Sequence, residues 1–110
     1  MTLTIASVSN DSYHVITLEG ELDTKTAPSF FETLKQLDLA SISELRIEMD
    51  SLEFLSSAGL RALVFAKQKM PHESRLILIG AADSIADVIV KTGLTQAVLL
   101  VPSHSSIDAI

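Results

Sequence analysis

The sequence contains no cysteine, so disulfides, thiolate zinc sites and a cysteine nucleophile are excluded. It has no tryptophan and only 5% aromatic residues, which leaves little material for base-stacking platforms. Basic residues are scarce: 8 Lys and Arg stand against 14 Asp and Glu, for a net charge of −6. Nucleic-acid binding is not expected, because neutralising phosphates takes clustered Lys and Arg. No apolar run approaches the roughly 20 residues of a membrane span, so direct membrane insertion is not expected. The start, Met1-Thr2-Leu3-Thr4-Ile5, lacks the basic and apolar regions of a secretion signal. The four glycines, Gly20, Gly59, Gly80 and Gly93, are scattered, and no phosphate-cradling or dinucleotide loop is present. The Gly-x-Ser-x-Gly elbow of hydrolases is also missing. His14, His72 and His104 share no ligand spacing, so no metal site is expected.

With 47% hydrophobic and 20% charged residues, the 110-residue chain has the balance of a folded core. One domain, 1–110, is expected, in a soluble cytoplasmic protein. Residues 2–8 are β-rich and read as a strand, 9–12 as a turn, and 13–19 as a second strand forming a hairpin with the first. Gly20 marks a break or a close backbone approach. Thr24 or Thr26 can cap a helix with Pro28 in its first turn, carrying Phe30, Leu34 and Leu37 and ending near Ala40. Over 44–50, Leu45, Ile47 and Met49 alternate with Arg46, Glu48 and Asp50, a strand with one packed face and one solvent face. Residues 51–55 read as a short connection. Ser56 or Ser57 can cap the next helix, with Leu60, Leu63, Ala66 and Met70 on its apolar stripe, and Pro71 stops it. The run Leu76-Ile77-Leu78-Ile79 suits a buried strand. A third helix begins at Asp83 or Ser84, with Ile85, Val88 and Ile89 on one stripe and Gly93 just past its end. Residues 97–101 form a last strand, and 103–109 can form a final short helix. The order ββαβαβαβα implies an α/β fold with a mixed, mostly parallel sheet. The polar alternation over 44–50 places the helices mainly on one sheet face.

The informative stretch is Phe54-Leu55-Ser56-Ser57-Ala58-Gly59-Leu60-Arg61. It puts two hydroxyls at a strand-to-helix transition, where free N–H groups can hold an anion. Small Ala58 and Gly59 leave that spot open to a partner, and Gly59 within the first turn lowers helix propensity, as close approach of another backbone would explain. Plain N-capping accounts for one serine. No base stands beside either in sequence, so no catalytic residue is assigned. Arg61 and Phe65 lie on a flank of the same helix, where Phe65 fits either a partner surface or the core edge.

The chain as a whole resembles the STAS domain family of anti-sigma factor antagonists. Three patterns carry the resemblance: Val15 to Asp23 followed by Ala27-Pro28; the strand from Leu45 running into Asp50-Ser51-Leu52-Glu53-Phe54-Leu55-Ser56-Ser57-Ala58-Gly59-Leu60-Arg61; and Lys91-Thr92-Gly93-Leu94. The resemblance implies a partner-switching protein and not an enzyme, with no cofactor. Its partner would be an anti-sigma factor that is also a serine kinase with a histidine-kinase-like ATP-binding fold, and a serine phosphatase would reset the switch. The phosphoacceptor maps to Ser57, with Ser56 as second choice, since many members carry Asp where Ser56 stands. The implied partner surface comprises Asp23, Thr24, Leu55, Ser56, Ser57, Ala58, Gly59, Arg61 and Phe65. A monomer is expected when free. The alternative is a constitutive STAS subunit regulating an ABC-type transporter.

Overall fold

Strands β1 (Leu3–Ser9) and β2 (His14–Leu22) form an antiparallel hairpin closed by Asn10, whose side chain accepts the N–H groups of Ser12 and Tyr13. The computed structural model describes residues 2–104 and 107. Beyond the hairpin come α1 (Ala27–Lys35), β3 (Glu44–Leu55), α2 (Ser57–Lys69), β4 (Arg75–Ile79), α3 (Asp83–Lys91) and β5 (Leu99–Val101). The sheet runs β1-β2-β3-β4-β5, parallel throughout except for the hairpin. The expected α/β order is therefore observed up to β5. The final helix expected over 103–109 lies largely outside the described residues.

Alternation sets the two faces. Leu45, Ile47 and Met49 are fully buried and share one cluster with Phe30 and Leu34 of α1, Leu63 and Ala66 of α2, and Ile85 and Ile89 of α3. Fully burying one such Leu or Ile contributes about 1.5–3 kcal/mol. All three helices thus pack on one face. On the other face of β4, Ile77 and Ile79 cluster with Val101 of the neighbouring strand β5 and with Ile107, which packs over them. That is why β4 reads as a continuous apolar run.

Three boundaries differ from the sequence reading. β3 continues through 51–55, where a connection was expected, and stays paired with β2 across two slips in register, between Thr17 and Glu19 and between Gly20 and Glu21. The slips break strict alternation: Leu52 and Leu55 are buried while Glu53 and Phe54 are exposed. α1 ends at Lys35 and not near Ala40; a separate 3₁₀ turn at Leu39–Ser41 then buries Leu39, which a continued helix would not present. β5 starts at Leu99 rather than 97, after a 3₁₀ turn at Leu94–Gln96. Val88, expected on the packed stripe of α3, is exposed. Gly20 (φ +104°) is the close backbone approach: a Cβ there would stand 2.3 Å from the Thr2 carbonyl oxygen. Gly93 adopts the left-handed conformation expected past α3.

Glu48, expected in solvent beside exposed Asp50, is instead half-buried on the open face. It accepts a hydrogen bond from Thr17 Oγ1 (2.5 Å) and pairs with His104 Nε2, 56 residues away in sequence. The Thr17 bond, with help from His104, holds its carboxyl below the usual range. Neighbouring Arg46 lies 3.5 Å over the Tyr13 ring and bonds Glu44 at 2.6 Å.

Candidate functional site

Parallel pairing of β2 with β3 sets Leu22 beside Leu55 at the ends of the two strands. Two strand-to-helix junctions therefore lie side by side, tied by a bond from the Ser56 N–H to the Leu22 carbonyl (2.9 Å).

In the second junction the two serines have different tasks. Ser56 has extended backbone (φ −89°, ψ 171°) and is the N-cap of α2; its Oγ accepts the Gly59 N–H at 3.2 Å. Its carbonyl accepts the Leu60 N–H at 3.0 Å. Ser57 is the first residue of the helix and is exposed. Among the described residues, no hydrogen bond holds its hydroxyl. With Gly59 and Leu60 satisfied, the N–H groups of Ser57 and Ala58 are left for an anion. No acidic residue occupies the first turn, so the positive end of the helix dipole is not offset there.

Gly59 is a packing requirement. A Cβ at this position would stand 2.7 Å from Leu22 Cγ and 2.8 Å from Leu55 Cδ1. Side chains approach it, not the backbone that sequence reasoning anticipated. Buried Leu55 thereby anchors the loop from below, with half-buried Ala58 beside it.

In the first junction the expected capping by Thr24 or Thr26 is not made: Thr26 holds the N-cap place of α1 without a side-chain cap bond. Its Oγ1 donates instead to the Glu21 carbonyl (2.7 Å) and accepts the Asp23 N–H (2.9 Å). Asp23 Oδ1 accepts the N–H groups of Lys25 and Thr26, both at 2.9 Å. These bonds, that of Thr26 first, hold the Asp23 carboxyl below its ordinary value despite burial. Asp23 Oδ2 is buried without a partner among the described residues. Thr24 is exposed at the loop tip.

Asp23, Thr24, Leu55, Ser56, Ser57, Ala58 and Gly59 are thus brought together as one surface and its support. Arg61 is exposed one turn along α2 and borders an open groove of about 400 Å³ lined by Leu60, Val64, Gly93, Leu94 and Ala97. Phe65 lies a further turn along. It is half-buried against Phe31 of α1, ring centroids 5.3 Å apart, and packs on the core edge. One residue was missed: Phe54, 46% exposed, which pairs with Glu21 just before the serines. A large apolar residue between Glu53 and the serine pair was the available signal, hidden by reading 51–55 as a connection.

A family model described as the STAS domain matches residues 4–107. The chain belongs to the STAS domain family. It is 30% identical over 100 residues to an anti-sigma-B factor antagonist of Listeria monocytogenes, covering 89% of this chain and 88% of that one. Among solved structures, an anti-sigma factor antagonist from Mycobacterium paratuberculosis superimposes with a TM-score of 0.86 at 26% identity, over 96% of this chain and 90% of the other. The Bacillus cell fate determinant SpoIIAA in its phosphorylated form gives 0.71 at 17% identity, over 98% of both chains, and shows the same STAS fold. Among the described residues, no helix is long and apolar enough to cross a membrane.

Proposed function

We propose that this STAS domain is a cytoplasmic anti-sigma factor antagonist, a binding protein whose complex is broken by phosphorylation of Ser57. The observation that carries the reading is the division of labour between the two serines. Ser56 holds the helix end, so its hydroxyl is occupied, while the Ser57 hydroxyl is exposed and, among the described residues, unbonded at the same helix end. The names of the related proteins support the antagonist role. The partner is an anti-sigma factor that acts as a serine kinase with a histidine-kinase-like ATP-binding fold; the Ser57 oxygen takes the terminal phosphoryl group of ATP and ADP leaves. A serine phosphatase restores the hydroxyl.

The switch is electrostatic. Phosphorylation adds about −1.5 to −2 charge at neutral pH. At the N-terminus of α2 the free N–H groups and the helix dipole accommodate that charge, so the fold is kept. A partner surface shaped for a neutral hydroxyl meets a bulky dianion instead. Losing about 3 kcal/mol of binding weakens the complex roughly a hundredfold. Thr24, Phe54 and Arg61 supply exposed contacts around the hydroxyl.

Calorimetric titration of the anti-sigma factor kinase from the same cells with wild type and Ser57→Asp tests this. The expected result is binding weakened about a hundredfold by Ser57→Asp, with its thermal melt close to wild type. Equal binding by both proteins refutes the switch.

A further inference from the structure

We propose that β1 is a pairing edge for a second copy of this chain, joining two sheets into one across a two-fold axis. The two edges of the sheet are built differently. β5 is three residues long and is followed at once by Pro102, so it offers little ladder to a neighbour. β1 is seven residues long, and Leu3-Thr4-Ile5-Ala6-Ser7-Val8-Ser9 contains no charge, no proline and no glycine. Its register with β2 runs residue for residue without a bulge. Among the described residues, none of the devices that blunt an edge strand is present, and Val8 is 66% exposed.

The direction of the backbone groups decides which partner fits. The Thr2 carbonyl accepts the Glu21 N–H, and the Asn10 N–H donates to the Tyr13 carbonyl. Even-numbered residues of β1 therefore turn their N–H and C=O groups toward β2, and Leu3, Ile5, Ser7 and Ser9 turn theirs outward. An antiparallel copy centred on Ala6 pairs Leu3 with Ser9 and Ile5 with Ser7. Those pairs join outward-facing residues, so every outward N–H and C=O of both strands finds a partner. On the open face the same register sets Thr4 against Val8 and Ala6 against Ala6, with no like charges opposed. The strand is its own complement in both hydrogen bonding and side chains, which is what a two-fold interface requires. This inference does not rest on the phosphorylation reading.

Sedimentation equilibrium across protein concentration, with amide hydrogen exchange by NMR, tests it. Dimer formation is expected, with the N–H groups of Leu3, Ile5, Ser7 and Ser9 protected at high concentration and open on dilution. Those of Thr4, Ala6 and Val8 stay protected at both. Ala6→Lys sets two ammonium groups face to face across the axis and should raise the dissociation constant at least tenfold, with an unchanged melt at dilutions where wild type is monomeric. Ser7→Pro removes an outward N–H that β2 does not use and should act in the same direction. A monomer at every concentration overturns the proposal. So does a dimer that Ala6→Lys leaves intact or in which the outward amides stay open.

Discussion

The two adjacent strand-to-helix junctions solve one problem in opposite ways. Between β2 and α1, the polar side chains turn inward: Asp23 and Thr26 bond each other and the surrounding backbone. Between β3 and α2, one serine caps the helix and the next is left outside the bonding pattern. The first junction is a brace, and the second is a brace plus one free hydroxyl. In the proposed switch, separating cap from acceptor lets the acceptor change charge without cutting a bond that holds the fold. Had one serine done both, phosphorylation would have removed an N-cap worth about 1 kcal/mol.

Breaking the packing shared by both junctions has the largest effect on stability. Leu22 is fully buried and touches the Gly59 position. Leu22→Ala should cost about 2–5 kcal/mol in denaturant unfolding. Gly59→Val overfills the same contact from the other side and should cost about 1–3 kcal/mol. Removing the cap alone, Ser56→Ala, should cost about 1 kcal/mol, or roughly 4–8 °C in melting temperature for a domain near this size.

The remaining tests sharpen the contrast. Asp23 has a carboxyl held below its ordinary value of 3.8, so its contribution to stability is present above that pH and is lost as pH falls through the lowered value. Asp23→Asn should flatten the acid limb of a melting-temperature profile, by lowering the melting temperature at neutral pH and changing little in acid, where the wild type has already lost this contribution. An unchanged acid limb would show that the carboxylate braces nothing. Ser57→Ala should be the mildest, within about 0.5 kcal/mol of wild type, as for a surface position outside the hydrogen-bond pattern. A Ser57→Ala loss as large as that of Ser56→Ala would erase the distinction between the two serines.

Much of this arrangement is legible in the sequence alone. The strict alternation of Leu45, Ile47 and Met49 and the run Leu76 to Ile79 reported one covered face and one twice-covered strand. Ser-Ser before small residues reported a helix start with a hydroxyl to spare. Other features were not legible, for identifiable reasons. The slips in the β2–β3 ladder broke the period over 51–55, so the end of β3 and exposed Phe54 were overlooked. Which serine caps depends on the backbone angle at Ser56, which two identical neighbours cannot reveal. The Thr17–Glu48–His104 contact joins groups far apart in sequence, beyond the reach of any local pattern.

The most direct measurement is phosphosite mapping of the protein isolated from its own cells under phosphatase inhibition. Trypsin releases Ile47 to Arg61, which holds Ser51, Ser56 and Ser57. Phosphate on Ser57, with Ser56 unmodified, is the predicted result. Phosphate on Ser56, or a peptide that stays unmodified through growth and stress, would contradict the assignment of Ser57 as the switch.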